Sequence, residues 1–392
     1  MLVTGRTALP DGFRAYVANL GIKDVRADFV VVAAERPIAA AGVFTRSRFA
    51  APCVTASRAH LADSTAQAVV VVSRNANVAN GRAGEDDNRA VTEAVEACLG
   101  CRVGDVLVAS TGVIGRRYPI ERMLKGIAQM PEPLPERSVD GAAQAIMTTD
   151  TRAKVAEAVI AGGNARVVGI AKGAGMIEPD MATMIAVLLT DADVAGDDLA
   201  AAFGPVVERT FNCVSIDTDM STSDTAVVLA SGAAGAVDAE AFSGALHEVA
   251  QSLAKQIARD GEGAETLIEV LVDGARDRAQ AKRVGKSIVN SPLVKTAVHG
   301  ADPNWGRVAM AIGKCSDDED ADIDQSAVVI RFGDQQVYPA RLDDDQLAEL
   351  STYLAGPEVL IHVTLGTGDE SCTVWGCDLT AGYVRINADY TT

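Results

Sequence analysis

The stretch Lys172-Gly-Ala-Gly-Met-Ile-Glu-Pro-Asp-Met-Ala-Thr183-Met184 runs straight into Ile185-Ala-Val-Leu-Leu189, close to the middle of a 392-residue chain. It reads as a loop feeding a buried strand. Gly173 and Gly175 admit backbone conformations that a Cβ disfavours. Pro179 fixes its own φ and pushes Glu178 toward extended geometry. A β-rich run begins at Met184, so Thr183 stands where loop meets strand, and a hydroxyl held there is positioned by a rigid element, as a nucleophile requires. On these residues alone, a Gly-rich turn before a core strand is the plainer account.

The whole string closely resembles the self-cleavage segment of the ornithine acetyltransferase (glutamate N-acetyltransferase) family. The resemblance implies that the chain cuts itself between Ala182 and Thr183, and that the new amino-terminal Thr183 becomes the catalytic nucleophile. The chemistry is coherent without the family. A Thr hydroxyl is a weak nucleophile until a base takes its proton, and a Thr at a chain start carries its own base, the free α-amine. A free α-amine titrates at roughly 7.7–8.0, so a fair fraction is neutral near pH 7. The β-methyl limits χ1 and leaves the hydroxyl fewer orientations to lose. The same hydroxyl can cut the chain, by an N-to-O acyl shift from Ala182 followed by hydrolysis of the ester.

Composition sets the outer bounds. The length suggests two domains or one large one. Hydrophobic residues make up 48% but aromatics only 4%, so the core is built from small aliphatics. The net charge of −18 argues against nucleic acid or an anionic membrane surface and fits a soluble cytoplasmic enzyme, whose anionic substrate then needs a local positive pocket. No run of 18 apolar residues suggests a membrane span, and the opening residues lack a signal-peptide apolar region. Seven scattered cysteines suit reduced thiols. Cys98-Leu-Gly-Cys101 lacks the second pair that a zinc site needs, and its place at a helix end favours a structural role.

In chain order, residues 13–50 read as extended segments, including the buried run Asp28–Ala33, and Ala68–Ser73 reads as another strand. Arg74-Asn-Ala-Asn77 suits an Asn-rich turn. Residues 85–97 read as a helix with an acidic start. Asp105-Val-Leu-Val-Ala-Ser110-Thr111-Gly112 is a strand ending in a loop whose unpaired N–H groups could form an oxyanion hole, with a plain turn as the alternative. Residues 119–130 form a helix with Pro at its first position. Thr148-Thr149-Asp150-Thr151 is a hydroxyl and carboxylate cluster that also suits capping. Residues 198–212 and 238–259 read as helices, the latter closed at Gly261 as a C-cap. Asp217, Asp219 and Asp224 cluster, but without the spacing of a calcium loop. Glu262 lies between two glycines, where its carboxylate can approach a bound amine. Asp302-Pro-Asn-Trp-Gly-Arg307 reads as a tight turn. Strands are expected near 327–331, 358–364 and 381–386, around a helix starting near Asp344.

Several of these segments match the same family, across nearly the whole chain. The resemblance gives Thr111 and Gly112 the oxyanion hole and Thr183 the nucleophile. It assigns substrate contacts to Thr149, Thr183, Glu262, Asn387 and Thr392, and we add Lys172 as the cation for a substrate α-carboxylate. It implies an α/β (α+β) fold of two lobes, like the DmpA and ornithine acetyltransferase proteins, with sheets packed against helices and the site between the lobes. It also implies an α fragment of residues 1–182 and a β fragment of residues 183–392, assembled as α2β2 or higher. The Asp-Thr-Asp and Ser-Asp wording at 217–224 is closer to paralogues from clavulanic-acid-type clusters. The expected reaction is acetyl transfer from N-acetylornithine to glutamate by a ping-pong route, without cofactor or metal. Acetyl-CoA as a further donor stays open. The alternatives are an amidohydrolase or aminopeptidase with water as acceptor, and a binding protein that never cleaves.

Overall fold

A computed structural model describes residues 7–22, 25–178, 184–315 and 317–389. Its strands are β1 (Phe13–Ala18), β2 (Phe29–Phe44), β3 (Thr65–Val72), β4 (Val106–Ser110), β5 (Lys154–Val159), β6 (Arg166–Lys172), β7 (Ile185–Asp193), β8 (Thr225–Ala236), β9 (Leu267–Ala275), β10 (Val329–Phe332), β11 (Gln335–Tyr338), β12 (Glu358–Thr364) and β13 (Glu370–Cys377). The first eight form one mixed sheet in the order β4-β3-β2-β8-β7-β6-β5, with β1 also on β2. The last five form a second sheet, β11-β10-β12-β9-β13.

Strand β2 shapes the large sheet. Its first half, Phe29–Ala34, runs between β1 and β3, and its second half, Ala39–Phe44, pairs with β8. Between them the register slips, with Glu35 and Arg36 exposed and Pro37 unable to donate to a ladder. Such a slip kinks a strand, and proline is tolerated there. The kink folds the sheet over on itself. In a flat sheet of this order, β4 and β6 would stand five spacings, about 24 Å, apart. Instead the residues at their ends touch, Lys172 Nζ lying 3.4 Å from Thr111 Oγ1.

The alternation of side chains then divides the interior. Ile185, Val187 and Leu189 of β7 join Val168 and Ile170 in one core with the valines of β2, β3 and β4. Ala186 and Leu188 face a second core with the helices and the small sheet. Buried along nearly its whole length, β3 reads as an unbroken apolar run rather than an alternating one. The helix Ala239–Arg259, capped by Asp238 accepting from Ala241 N–H at 2.9 Å, packs on β5 and β6 and also on β9 and β13, so it joins the two sheets. Gly169 lets it approach, since a Cβ there would lie 2.8 Å from Val249 and Leu253.

Two expectations are corrected. Residues 381–386 are not a strand but part of the helix Ala381–Asp389. Thr380 Oγ1 accepts from the N–H groups of Gly382 and Tyr383, which starts a helix. Val384 and Ile386 remain exposed, so the apolar alternation there has no sheet to face. Gly261 is not a left-handed cap. Asp260 ends the preceding helix at φ −95°, and glycine is needed at 261 because a Cβ would lie 2.5 Å from Cys377 Sγ. Strands β5, β6, β9, β11 and β13 and the helix Arg278–Val289 are among the elements that the sequence reading does not mark. Among the described residues, no helix is long and apolar enough to cross a membrane.

Candidate active site

The ends of β4 and β6 meet the starts of β7 and β8 at one edge of the large sheet. Lys172 pairs with Ile185, and Ile185 with Thr225, so three strand ends share one row. Beyond β4, Thr111 N–H donates to Val72 O at 3.0 Å and is therefore not available to a ligand. Gly112 is different. Its φ of +129° and the absence of a hydrogen bond at its N–H leave one backbone donor open among the described residues. The Asn-rich turn forms the floor of this loop, for a Cβ on Gly112 would fall 2.2 Å from the carbonyl carbon of Arg74. Of the two N–H groups at the end of β4, that of Gly112 is without a partner among the described residues, while Thr111 offers its hydroxyl.

Lys172 is buried, and burial, with the Lys154 ammonium nearby, lowers its pKa below the usual lysine value although Asp150, Asp224 and Glu262 act in the opposite sense. A second buried cation lies near. Lys154 is fully enclosed and donates to Asp150 and Asp260 at 2.6 Å each. Burial works to raise the Asp150 carboxyl, but Lys154, Lys172 and the Gly173 N–H, which donates to it at 2.7 Å, outweigh that and hold it down to about 2. Two carboxylates therefore face two ammonium groups in a region removed from water. Thr151 binds Asp260 through both its N–H and its hydroxyl, which fixes the turn carrying Thr149.

Glu262 lies near enough to Lys172 to raise its proton affinity. Its N–H donates to Ala174 O at 2.7 Å, and its carboxylate accepts from Asn387 Nδ2 at 2.8 Å. Gly175 makes room for it, since a Cβ there would lie 2.5 Å from the carboxylate. Asp217 does not act with Asp219 and Asp224 as a cation cluster. Its carboxylate accepts from the N–H groups of Met176 and Ile177 at 2.7 Å each, and Tyr383 reaches it at 3.4 Å. Asp224 is buried with neither oxygen hydrogen-bonded. The Met184 N–H and the Thr45 and Ser221 hydroxyls approach it without completing a bond, and burial pushes its carboxyl well above the usual range. The CxxC cysteines flank Gly100, the left-handed cap of the helix Gly81–Leu99, and burial raises both thiols.

Thr111 with Gly112, Lys172, Glu262 and Asn387 come from four separate parts of the chain and are linked in turn, Lys172 reaching Thr111, Glu262 acting on Lys172, and Asn387 donating to Glu262. Thr149 lies half-buried beside Asp150. Ala182, Thr183 and Thr392 lie outside the described residues; Met184, next after Thr183, accepts from Thr225 N–H at 3.0 Å at the same sheet edge. Sequence reasoning gave no role to Lys154 or Asp260 and weighed Asp224 only as a cation ligand. The available signal was a charged residue abutting an apolar strand, as in Lys154-Val-Ala and Asp224-Thr-Ala-Val-Val.

The model of the ArgJ family matches residues 14–392. The chain belongs to the ArgJ family. It is 53% identical over 386 residues to an arginine biosynthesis bifunctional protein ArgJ of Nostoc sp., covering 98% of this chain and 99% of that one. It is 55% identical over 389 residues to a glutamate N-acetyltransferase of Streptomyces clavuligerus, covering 98% of each. That match agrees with the wording noted at 217–224. Among solved structures, an ornithine acetyltransferase of Mycobacterium tuberculosis complexed with ornithine is 35% identical over 46% of this chain and 97% of its own, with a TM-score of 0.39. The mixed α/β architecture expected from the sequence accords with ArgJ-family membership.

Proposed function

We propose that this ArgJ-family chain cuts itself between Ala182 and Thr183 and then moves an acetyl group from N-acetylornithine to glutamate. The observation that carries the reading is the convergence of Thr111, Gly112 and Lys172 at the edge where the strand after Thr183 begins. The Thr183 hydroxyl attacks the acetyl carbonyl while its own α-amine takes the proton. Gly112 N–H and the Thr111 hydroxyl stabilise the tetrahedral oxyanion. Lys172 donates toward Thr111 Oγ1, so the Thr111 hydrogen is turned away from it and toward the oxyanion. The C–N bond breaks, the amine carries the proton, and ornithine leaves an acetyl ester on Thr183. The amine of glutamate attacks that ester and restores the hydroxyl.

The charges suit these substrates. Lys172 supplies a positive group for an α-carboxylate in a chain of net charge −18, and Glu262 with Asn387 supplies an acceptor for the side-chain ammonium of ornithine. Thr149 and Thr392 are the further substrate contacts of this reading. Residues 1–182 and 183–392 stay together as the α and β fragments of a cytoplasmic α2β2 assembly. Initial rates with both substrates varied are expected to give parallel lines, and N-acetylglutamate is expected to appear in step with ornithine. Intersecting lines would overturn the covalent route. Ornithine released without N-acetylglutamate would identify water as the acceptor and the chain as an amidohydrolase.

A further inference from the structure

The segment before the cleavage site is held almost residue by residue. Gly173 N–H donates to Asp150, Ala174 O accepts from Glu262 N–H, and Met176 and Ile177 N–H donate to Asp217. Ile177 O accepts from Ile216 N–H at 2.7 Å, and Glu178 N–H donates to Asp219 O at 3.0 Å. Of these residues, only the last is also held by its side chain. Glu178 Oε2 accepts from Ser215 Oγ at 2.6 Å and from Asn290 Nδ2 at 2.5 Å.

Both donors sit on rigid supports. Ser215 N–H donates to Trp375 O of β13 at 2.8 Å, and Asn290 caps the helix Arg278–Val289. Beneath them, Lys286 donates to Val214 O at 2.5 Å. Burial lowers its pKa to about 8, with the Glu178 carboxylate acting in the opposite sense. A carboxylate with two hydrogen bonds and a nearby ammonium group is a strong fixture, stronger than surface packing of a loop needs. Every one of these partners except Asp150 lies after Thr183 in sequence, on the far side of the bond to be cut.

We propose that Glu178, held by Ser215 and Asn290, is a positioning residue for self-cleavage. It fixes the chain five residues ahead of Thr183, as Thr225 fixes Met184 just behind it, so that the scissile carbonyl is delivered to the attacking hydroxyl. The inference rests on the self-cleavage reading above. Nucleophile and carbonyl must meet within about 3–3.5 Å, and a 1 Å error can cost about 100-fold in rate. After the cut, the same fixture keeps the end of the first fragment on the second.

The test follows cleavage of freshly synthesised chain by denaturing mass spectrometry, with thermal unfolding recorded on the same samples. Glu178→Ala and the double change Ser215→Ala with Asn290→Ala are expected to cut at least about tenfold more slowly than wild type. Glu178→Gln keeps an acceptor oxygen for one donor and is expected to stay within about threefold. Val363→Ala, a cavity in the small sheet remote from the loop, is the control for lost stability. It should cut at the wild-type rate even where its melting temperature falls as far as that of Glu178→Ala. Glu178→Ala cutting as fast as wild type, or Val363→Ala slowing equally, would overturn the positioning role alone. Wild type that never cuts would overturn both this inference and the reading beneath it.

Discussion

Gly112→Ala removes no functional group from the protein, yet the geometry predicts that it disables the oxyanion hole. The added Cβ would lie 2.2 Å from the carbonyl carbon of Arg74, 2.5 Å from its Cα and 2.5 Å from Asn75 N. Ordinary contact needs about 3.5–4.0 Å between carbon atoms, so loop and turn must part by more than about 1 Å. The obstacle is backbone, which cannot swing aside as a side chain can. The φ of +129° adds a conformation that alanine avoids, worth of order 1–3 kcal/mol. The displaced group is the Gly112 N–H, which has no hydrogen-bond partner among the described residues. Loss of one such donor costs about 10²–10³ in kcat, or about 2.7–4 kcal/mol. We therefore expect acetyl transfer to fall at least about 100-fold, with circular dichroism close to wild type. The assay is N-acetylglutamate formation by protein already confirmed as cleaved. Activity within about threefold of wild type would refute the assignment of Gly112 to the oxyanion.

Two further outcomes concern the buried charges around Lys172. Lys154→Met leaves Asp150 and Asp260 buried without the ammonium they share, and breaking such a pair from one side costs about 3–5 kcal/mol. Urea unfolding should show that loss, and a change below about 1 kcal/mol would mean that the carboxylates find other partners. Asp224→Asn bears on pH. A carboxyl whose pKa is raised in the fold favours the native state at low pH and loses that advantage as pH rises from the unfolded value near 3.9 toward the raised folded one. The melting temperature of Asp224→Asn relative to wild type should therefore climb between pH 4 and pH 7. A gap that does not change with pH would show that Asp224 keeps its charge at no cost.

How far the sequence could be read depended on whether a residue acts locally. The strand from Ile185, the loop at Thr111–Gly112 and the helix behind Asp238 announce themselves by periodicity, punctuation and capping, all within a few residues. So does the turn at Asp302–Arg307, where Asn304 N–H donates to Asp302 O at 2.7 Å. The contact of Lys172 with Thr111 does not, because it depends on β2 folding the sheet over at a register slip. Nor does the Lys154 network, whose members are 106 residues apart along the chain. The helix at Ala381–Asp389 misled through alternation: Val384, Arg385 and Ile386 carry a strand's pattern, and the Thr380 hydroxyl overrides it by starting a helix. The carboxylates at 217–224 misled through proximity in sequence. Asp217 faces the loop before the cleavage site, while Asp224 is buried toward Lys172, Thr45 and Ser221.

The central claim is that Thr183 becomes a chain start, and mass decides it. Denaturing mass spectrometry of the purified protein beside Thr183→Ala should give two fragments parting between Ala182 and Thr183 for wild type, and one intact species for the variant. A single 40.6 kDa species in both would contradict the account, since the hydroxyl would then lack the amine that serves as its base.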